Sequence, residues 1–226
     1  MTRIGKTAIV AAAGAALVLG STTWAGAGQG EDEGVPATLG VLDYEPGLLT
    51  GADIDAIPGF AVDASYGGQI EPYFGGEDLN MFCRGGSANY VEGTEIDLVG
   101  ASGGAVSVIH EVGAIGDAKG FVADARDVAK GCTSPFPAGS LTLVPAAQQP
   151  KLKKAGDGVT VLATTVQSSG NAVFQIYVRE GKYFISYISI VAAPQVTTLD
   201  TADLNAVTKA AAKHLATVAK EYRKKT

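Results

Sequence analysis

Two runs of β-branched and aromatic residues, 172–179 and 182–191, are separated by only Glu180 and Gly181. Each arm is too short and too β-branched to favour a helix, and the break between them supplies a turn glycine, so the pair reads as an antiparallel hairpin. With Glu180-Gly181 as a two-residue turn, Val178 faces Tyr183, Ile176 faces Ile185 and Phe174 faces Tyr187, which gathers six apolar side chains on one face. The other face carries Val173, Gln175, Tyr177, Phe184, Ser186 and Ile188 and is mixed rather than polar. A one-residue slip would break the apolar set, so a single register is expected.

Other elements gather around this hairpin. Residues 158–168 read as a neighbouring strand and 141–144 as a further one, while 88–99 and 105–112 pair around a Gly-rich turn at 101–104. In the second of those arms Val106, Val108, His110 and Val112 share a face by the two-residue period. Residues 117–130 form an amphipathic helix whose stripe is Ala118, Phe121, Val122, Ala125, Val128 and Ala129, stopped by Gly131. A longer helix spans 201–224, with Asp200 as N-cap, Leu204, Val207, Ala211, Leu215, Val218 and Tyr222 on its apolar stripe, and cations at its last turn. Thr50 and Asp53 resemble a capping box opening a short helix that ends before Pro58. The expected fold is α+β: an antiparallel sheet of about five or six strands, two main helices packed on one face, and the mixed face left to solvent or ligand.

Residues 1–27 have the form of a secretory signal. Arg3 and Lys6 precede an apolar stretch at 8–19, and Ala25-Gly26-Ala27 supplies a small-x-small cleavage site. The apolar stretch is shorter than the ~20 residues that span a bilayer, so no membrane span is expected after cleavage. Residues 28–45 are Gly-rich and acidic and read as a flexible leader, leaving 46–226 as the folded domain. Export implies an oxidising compartment, in which Cys83 and Cys132, the only two cysteines, are expected to pair. The bridge would close a loop whose contribution to stability is about 3–4 kcal/mol. Losing Arg3 and Lys6 leaves 15 cations against 23 anions, a net charge of −8. That balance argues against a nucleic-acid partner, which selects a basic face.

The order of features (Leu48-Leu49-Thr50-Gly51-Ala52-Asp53, Cys83 ahead of a hairpin, then a helix running into Gly131-Cys132) resembles the extracellular sensor domain of the mycobacterial kinase PknH, which also occurs as free secreted proteins or lipoproteins in actinobacteria. The resemblance covers about residues 45–222 and implies an antiparallel sheet with two helices and a cleft for a small extracellular ligand. Two departures stand out: the family carries two disulfides where this chain has cysteines for one, and no kinase domain precedes the region. The PsbP-like lipoprotein fold has similar helix and sheet content and implies instead an envelope protein-interaction module.

Candidate chemistry is sparse. Gly100-Ala101-Ser102-Gly103-Gly104 matches the nucleophile-elbow pattern of hydrolases, but the segment after Ser102 reads as a strand where the elbow needs a helix, and a Gly-rich hairpin turn accounts for the match. His110 and Glu111 are adjacent in a strand and point to opposite faces, so they form no dyad. Asp53 and Asp55 have a spacing seen in calcium loops, but helix capping explains Asp53 better. No catalytic residue, cofactor or metal ligand is assigned. The ligand-cleft candidates are Tyr66, Tyr73, Phe74 and Arg84 in a Gly-rich stretch, with Gln175, Tyr177 and Phe184 on the mixed sheet face. Lys151, Lys153 and Lys154 read as a solvated loop. The expectation is a secreted, non-enzymatic sensor-type domain that binds a small extracellular ligand or an envelope component beside its sheet.

Overall fold

The computed structural model describes residues 36, 39, 42–60, 70–73, 78–81, 86–100, 106–131, 140–196 and 199–226, and only the backbone course within 70–100. Eight strands occur among them: β1 (Ile70–Tyr73), β2 (Asp78–Met81), β3 (Gly86–Gly100), β4 (Val106–Ile115), β5 (Leu141–Leu143), β6 (Gly158–Val166), β7 (Ala172–Glu180) and β8 (Phe184–Ala192). The helices are α1 (Gly51–Asp55), α2 (Ala118–Ala129) and α3 (Thr201–Lys225). The strands join in the order β1-β3-β4-β8-β7-β6-β5, with β2 also pairing with β3, and every pairing is antiparallel. This is the expected α+β sheet, extended by the short strands β1 and β2.

The β7–β8 hairpin differs from the expected one in register. Glu180 pairs with Phe184, so three residues, Gly181 to Tyr183, form the loop, with Gly181 in the left-handed region at φ 65°. Val178 therefore faces Ser186, Ile176 faces Ile188 and Phe174 faces Ile190. Adding one residue to the loop reverses the parity of the second arm. Phe184, Ile188 and Ile190 join Ile176 and Val178 in the main core, while Ile185 and Tyr187 turn to the opposite face. Both parities are apolar because both faces are covered, so hydrophobicity alone did not select the register.

The same fact corrects the helix arrangement. α3 lies on the face that carries Val161, Ile176, Val178, Ile188 and Ile190, burying Leu204, Val207, Ala211, Leu215 and Val218 there. α2 lies on the other face, with Ala118 and Val122 against Ile115 and Ile185, and Ala125 and Val128 against Leu162. The helices thus cover opposite faces instead of one, and neither face is left open across β6 and β7. Local signals set the helix ends. Asp117 accepts the Gly120 N–H at 2.7 Å, Gly131 follows α2 at φ 88°, and Asp200 with Asp203 forms a capping box on α3. No helix among the described residues is long and apolar enough to cross a membrane.

Beside α3, residues 42–60 form a strap over β4. Leu39, Leu42 and Tyr44, within the stretch that reads as leader, are buried in the main core with Leu48, Leu49, Ile54, Ile57 and Phe60. The strap is pinned at both ends by close backbone approach: Gly47 sits against Val112 and Val218, and the Gly59 N–H donates to Asp203 Oδ1 at 3.1 Å. A Cβ at position 59 would run into the Asp203 carboxylate that also caps α3. Gly59→Ala is therefore expected to lower stability by about 1–3 kcal/mol, the usual range for overpacking, as read by urea denaturation. An unchanged midpoint would show that the strap end is not docked there.

Candidate functional site

Both histidines of the chain hold the strap. His110 is fully buried on β4, its Nδ1 accepting the Leu49 N–H at 2.8 Å and its Nε2 lying 2.8 Å from Ser186 Oγ on β8. A backbone N–H can only donate, so Nδ1 carries no proton; the neutral ring is the Nε2–H tautomer and donates to Ser186. Burial drives the His110 pKa down to about 3, with the charge of His214 acting in the same direction and Asp53 opposing it. Ser186 and His110 are thus close enough for a nucleophile–base pair but carry the proton on the wrong nitrogen for one. His214 on α3 bridges Pro46 O at 3.2 Å and Asp53 Oδ2 at 3.1 Å. Burial raises the Asp53 pKa, but hydrogen bonds from Thr50 together with His214 outweigh it and leave it below the usual carboxylate value. Asp53 is a capping residue rather than a calcium ligand: its carboxylate accepts the Thr50 N–H at 2.8 Å. Among the described residues no cluster of His, Cys, Asp and Glu could hold a metal ion.

The expected cleft residues lie partly outside the described residues, and the described ones fall on two faces of the sheet. Tyr66, Phe74, Arg84, Ser102, Cys83 and Cys132 lie outside the described residues, and Tyr73 lies in β1, where only the backbone is described. Gln175, Tyr177 and Phe184, expected on one face, are divided by the hairpin register. Phe184 is buried in the main core against Tyr222, with ring centroids 5.4 Å apart. Tyr177 is packed under α2 between Phe121 at 5.5 Å and Tyr187 at 5.2 Å. Burial, with Tyr187 and Glu111 nearby, holds its phenol pKa well above the ordinary value. Gln175 donates to Tyr187 Oη at 3.0 Å, while its Oε1 and the Thr164 hydroxyl are buried without a partner among the described residues. Tyr177 thus packs on the α2 face and Phe184 on the α3 face.

A groove of about 370 Å3 opens instead at the edge of the sheet, between the C-terminal turn of α2, the first half of β6 and the segment 146–152. Its volume is that of a small-ligand site. Arg126 and Lys130 come from the α2 side, Lys151 from the opposite wall, and Val159, Thr160 and Val161 from β6. Arg126 Nη2 donates to Val159 O at 3.3 Å, and Lys130 pairs with exposed Asp127 at 3.0 Å. The outer wall is held in place: Gln149 makes two hydrogen bonds with the Ala163 backbone, and the Lys153 N–H donates to Asn205 on α3 at 2.6 Å. Three cations around one concavity in a chain of net charge −6 suit an anionic ligand. The local sequence showed Lys130 as a helix flank and Lys151 as a solvated loop, and gave no sign that either shares a groove with Arg126. The signal that bore on the groove was Pro145, two residues after β5, which marks where the chain leaves the sheet edge.

Comparison with known proteins returns no match: no family model, no curated protein and no solved structure.

His110 makes stability depend on pH. Its folded pKa is below the unfolded value near 6.5, so its contribution is complete above pH 6.5 and is lost as pH falls toward 3. Between pH 6.5 and 5 the loss is about 2 kcal/mol by the linkage slope. Urea midpoints measured across that window should fall for the native chain and stay flatter for His110→Gln. Parallel curves would contradict a buried neutral His110.

Proposed function

We propose that this chain is a secreted, non-enzymatic sensor-type domain that holds a small extracellular ligand beside its sheet, and that the groove along β6 receives it. The observation that carries this reading is the convergence of Arg126, Lys130 and Lys151 on a concavity of ligand size in an otherwise acidic chain. The ligand class that fits is anionic, because cations grouped along low-dielectric walls concentrate negative solutes. The signal-like segment at 1–27 and the resemblance to the PknH sensor domain support an extracellular setting, and in that setting Cys83 and Cys132 form the single bridge. A binding role also agrees with the tautomer of His110, which leaves that ring unable to activate Ser186.

The test is calorimetric titration of the mature chain with phosphate monoesters and with di- and tricarboxylates. At least one of these should bind, and the double variant Arg126→Ala, Lys151→Ala should weaken it about tenfold or more, as loss of two charge-assisted contacts implies. Equal affinity in the variant, or no anion bound by the native chain, would contradict the reading.

A further inference from the structure

We propose that the groove takes its ligand as an added β-strand: a short, extended, acidic peptide pairing with the free edge of β6 at Val159 and Val161. The proposal rests on the groove being the ligand site and adds the class of ligand. Hydrogen bonds already present along β6 show which residues face the edge. Gln167 N–H donates to Ser140 O at 3.2 Å, Thr165 pairs with Thr142, and Ala163 O accepts the Val144 N–H at 2.9 Å. The odd-numbered residues of β6 therefore turn their backbone groups away from β7 and toward β5, by the alternation of an antiparallel ladder.

Continued in register, β5 would bring residue 146 opposite Val161. Pro145 intervenes at φ −51° and ψ 140°, and a single turn over Ala146–Gln148 carries the chain off the edge. The Gln149 side chain then stands in for a strand at Ala163, its Oε1 accepting the Ala163 N–H at 2.7 Å and its Nε2 donating to Ala163 O at 3.0 Å. Past that amide the edge is unpaired among the described residues, with Val161 buried and Val159 half-buried. Among the described residues Val159 O has only the Arg126 guanidinium, and no edge-side bond is made by the Val159 N–H or by either backbone group of Val161. These groups line the groove, two residues apart on one strand, where an extended peptide would find alternating donors and acceptors. Arg126 and Lys130 on one wall and Lys151 on the other select acidic side chains.

The probes are a capped five-residue peptide of alternating glutamate and valine, two twins of it N-methylated at its odd or at its even amides, and glutarate as a bare dicarboxylate, all titrated against the native chain with backbone amide NMR. An added strand uses one parity of amides, so one twin should bind like the parent and the other at least about tenfold more weakly, as loss of two or more backbone bonds implies. The Val159 and Val161 amides should shift. Twins of equal affinity, or shifts that avoid β6, would overturn strand addition. Glutarate binding as tightly as the peptide would also overturn it while leaving the anion-binding reading intact, and no binding by any probe would sink both.

Discussion

Every backbone N–H and C=O of a strand needs a partner, and β6 is where this chain stops supplying them from its own strands. On its inner side β6 is paired with β7 along its length, from Gly158–Arg179 to Thr165–Ala172. On its outer side β5 reaches only as far as Leu143–Thr164, and a glutamine amide completes one further residue. The groove, its rigid outer wall and the placement of three cations around it all result from that early departure. Were β5 longer, the edge would be paired along its length and Lys151 would be carried elsewhere.

The two-sided covering of the sheet is the second organising fact. α3 and the strap occupy one face, α2 the other, so alternate residues of β6, β7 and β8 enter different cores. Buried polar groups in such a sandwich must be paired within it. His110 meets that demand by joining three segments, accepting a hydrogen bond from the strap and donating one to β8. The strap is thereby tied to the sheet through hydrogen bonding as well as through Leu49 and Ile54. His214 and Asp203 fix the same segment to α3. Leu39, Leu42 and Tyr44 of the N-terminal stretch are part of the core.

Much of this fold was legible in the residues themselves. The ends of α2 and α3 were readable because Asp117, Gly131, Asp200 and Asp203 act locally, within one turn of the backbone they satisfy. The face shared by Val106, Val108, His110 and Val112 was readable from alternation alone. The register of β7 with β8 was not, since with apolar residues at both parities the loop length decides, and Gly181 suits a two-residue loop or a three-residue one. The side of α2 was hidden for the same reason: Leu162, Tyr177 and Ile185 look like a mixed face until a helix covers them. The groove was the least legible, because Arg126, Lys130 and Lys151 meet only through the crossing of α2 over β6, and Gln149 acts on a residue fourteen positions away. Aromatic residues drew attention as cleft walls, yet Tyr177 and Phe184 serve packing.

The open edge of β6 is the claim on which the binding account stands, and amide hydrogen exchange of the unliganded chain measures it directly. Ala163, held by Gln149, and the even-numbered residues Thr160 and Leu162, paired with β7, should exchange slowly. Val159 and Val161 should exchange markedly faster than those neighbours. Uniform protection from Gly158 to Val166 would mean that the edge is already filled, and the account would fail.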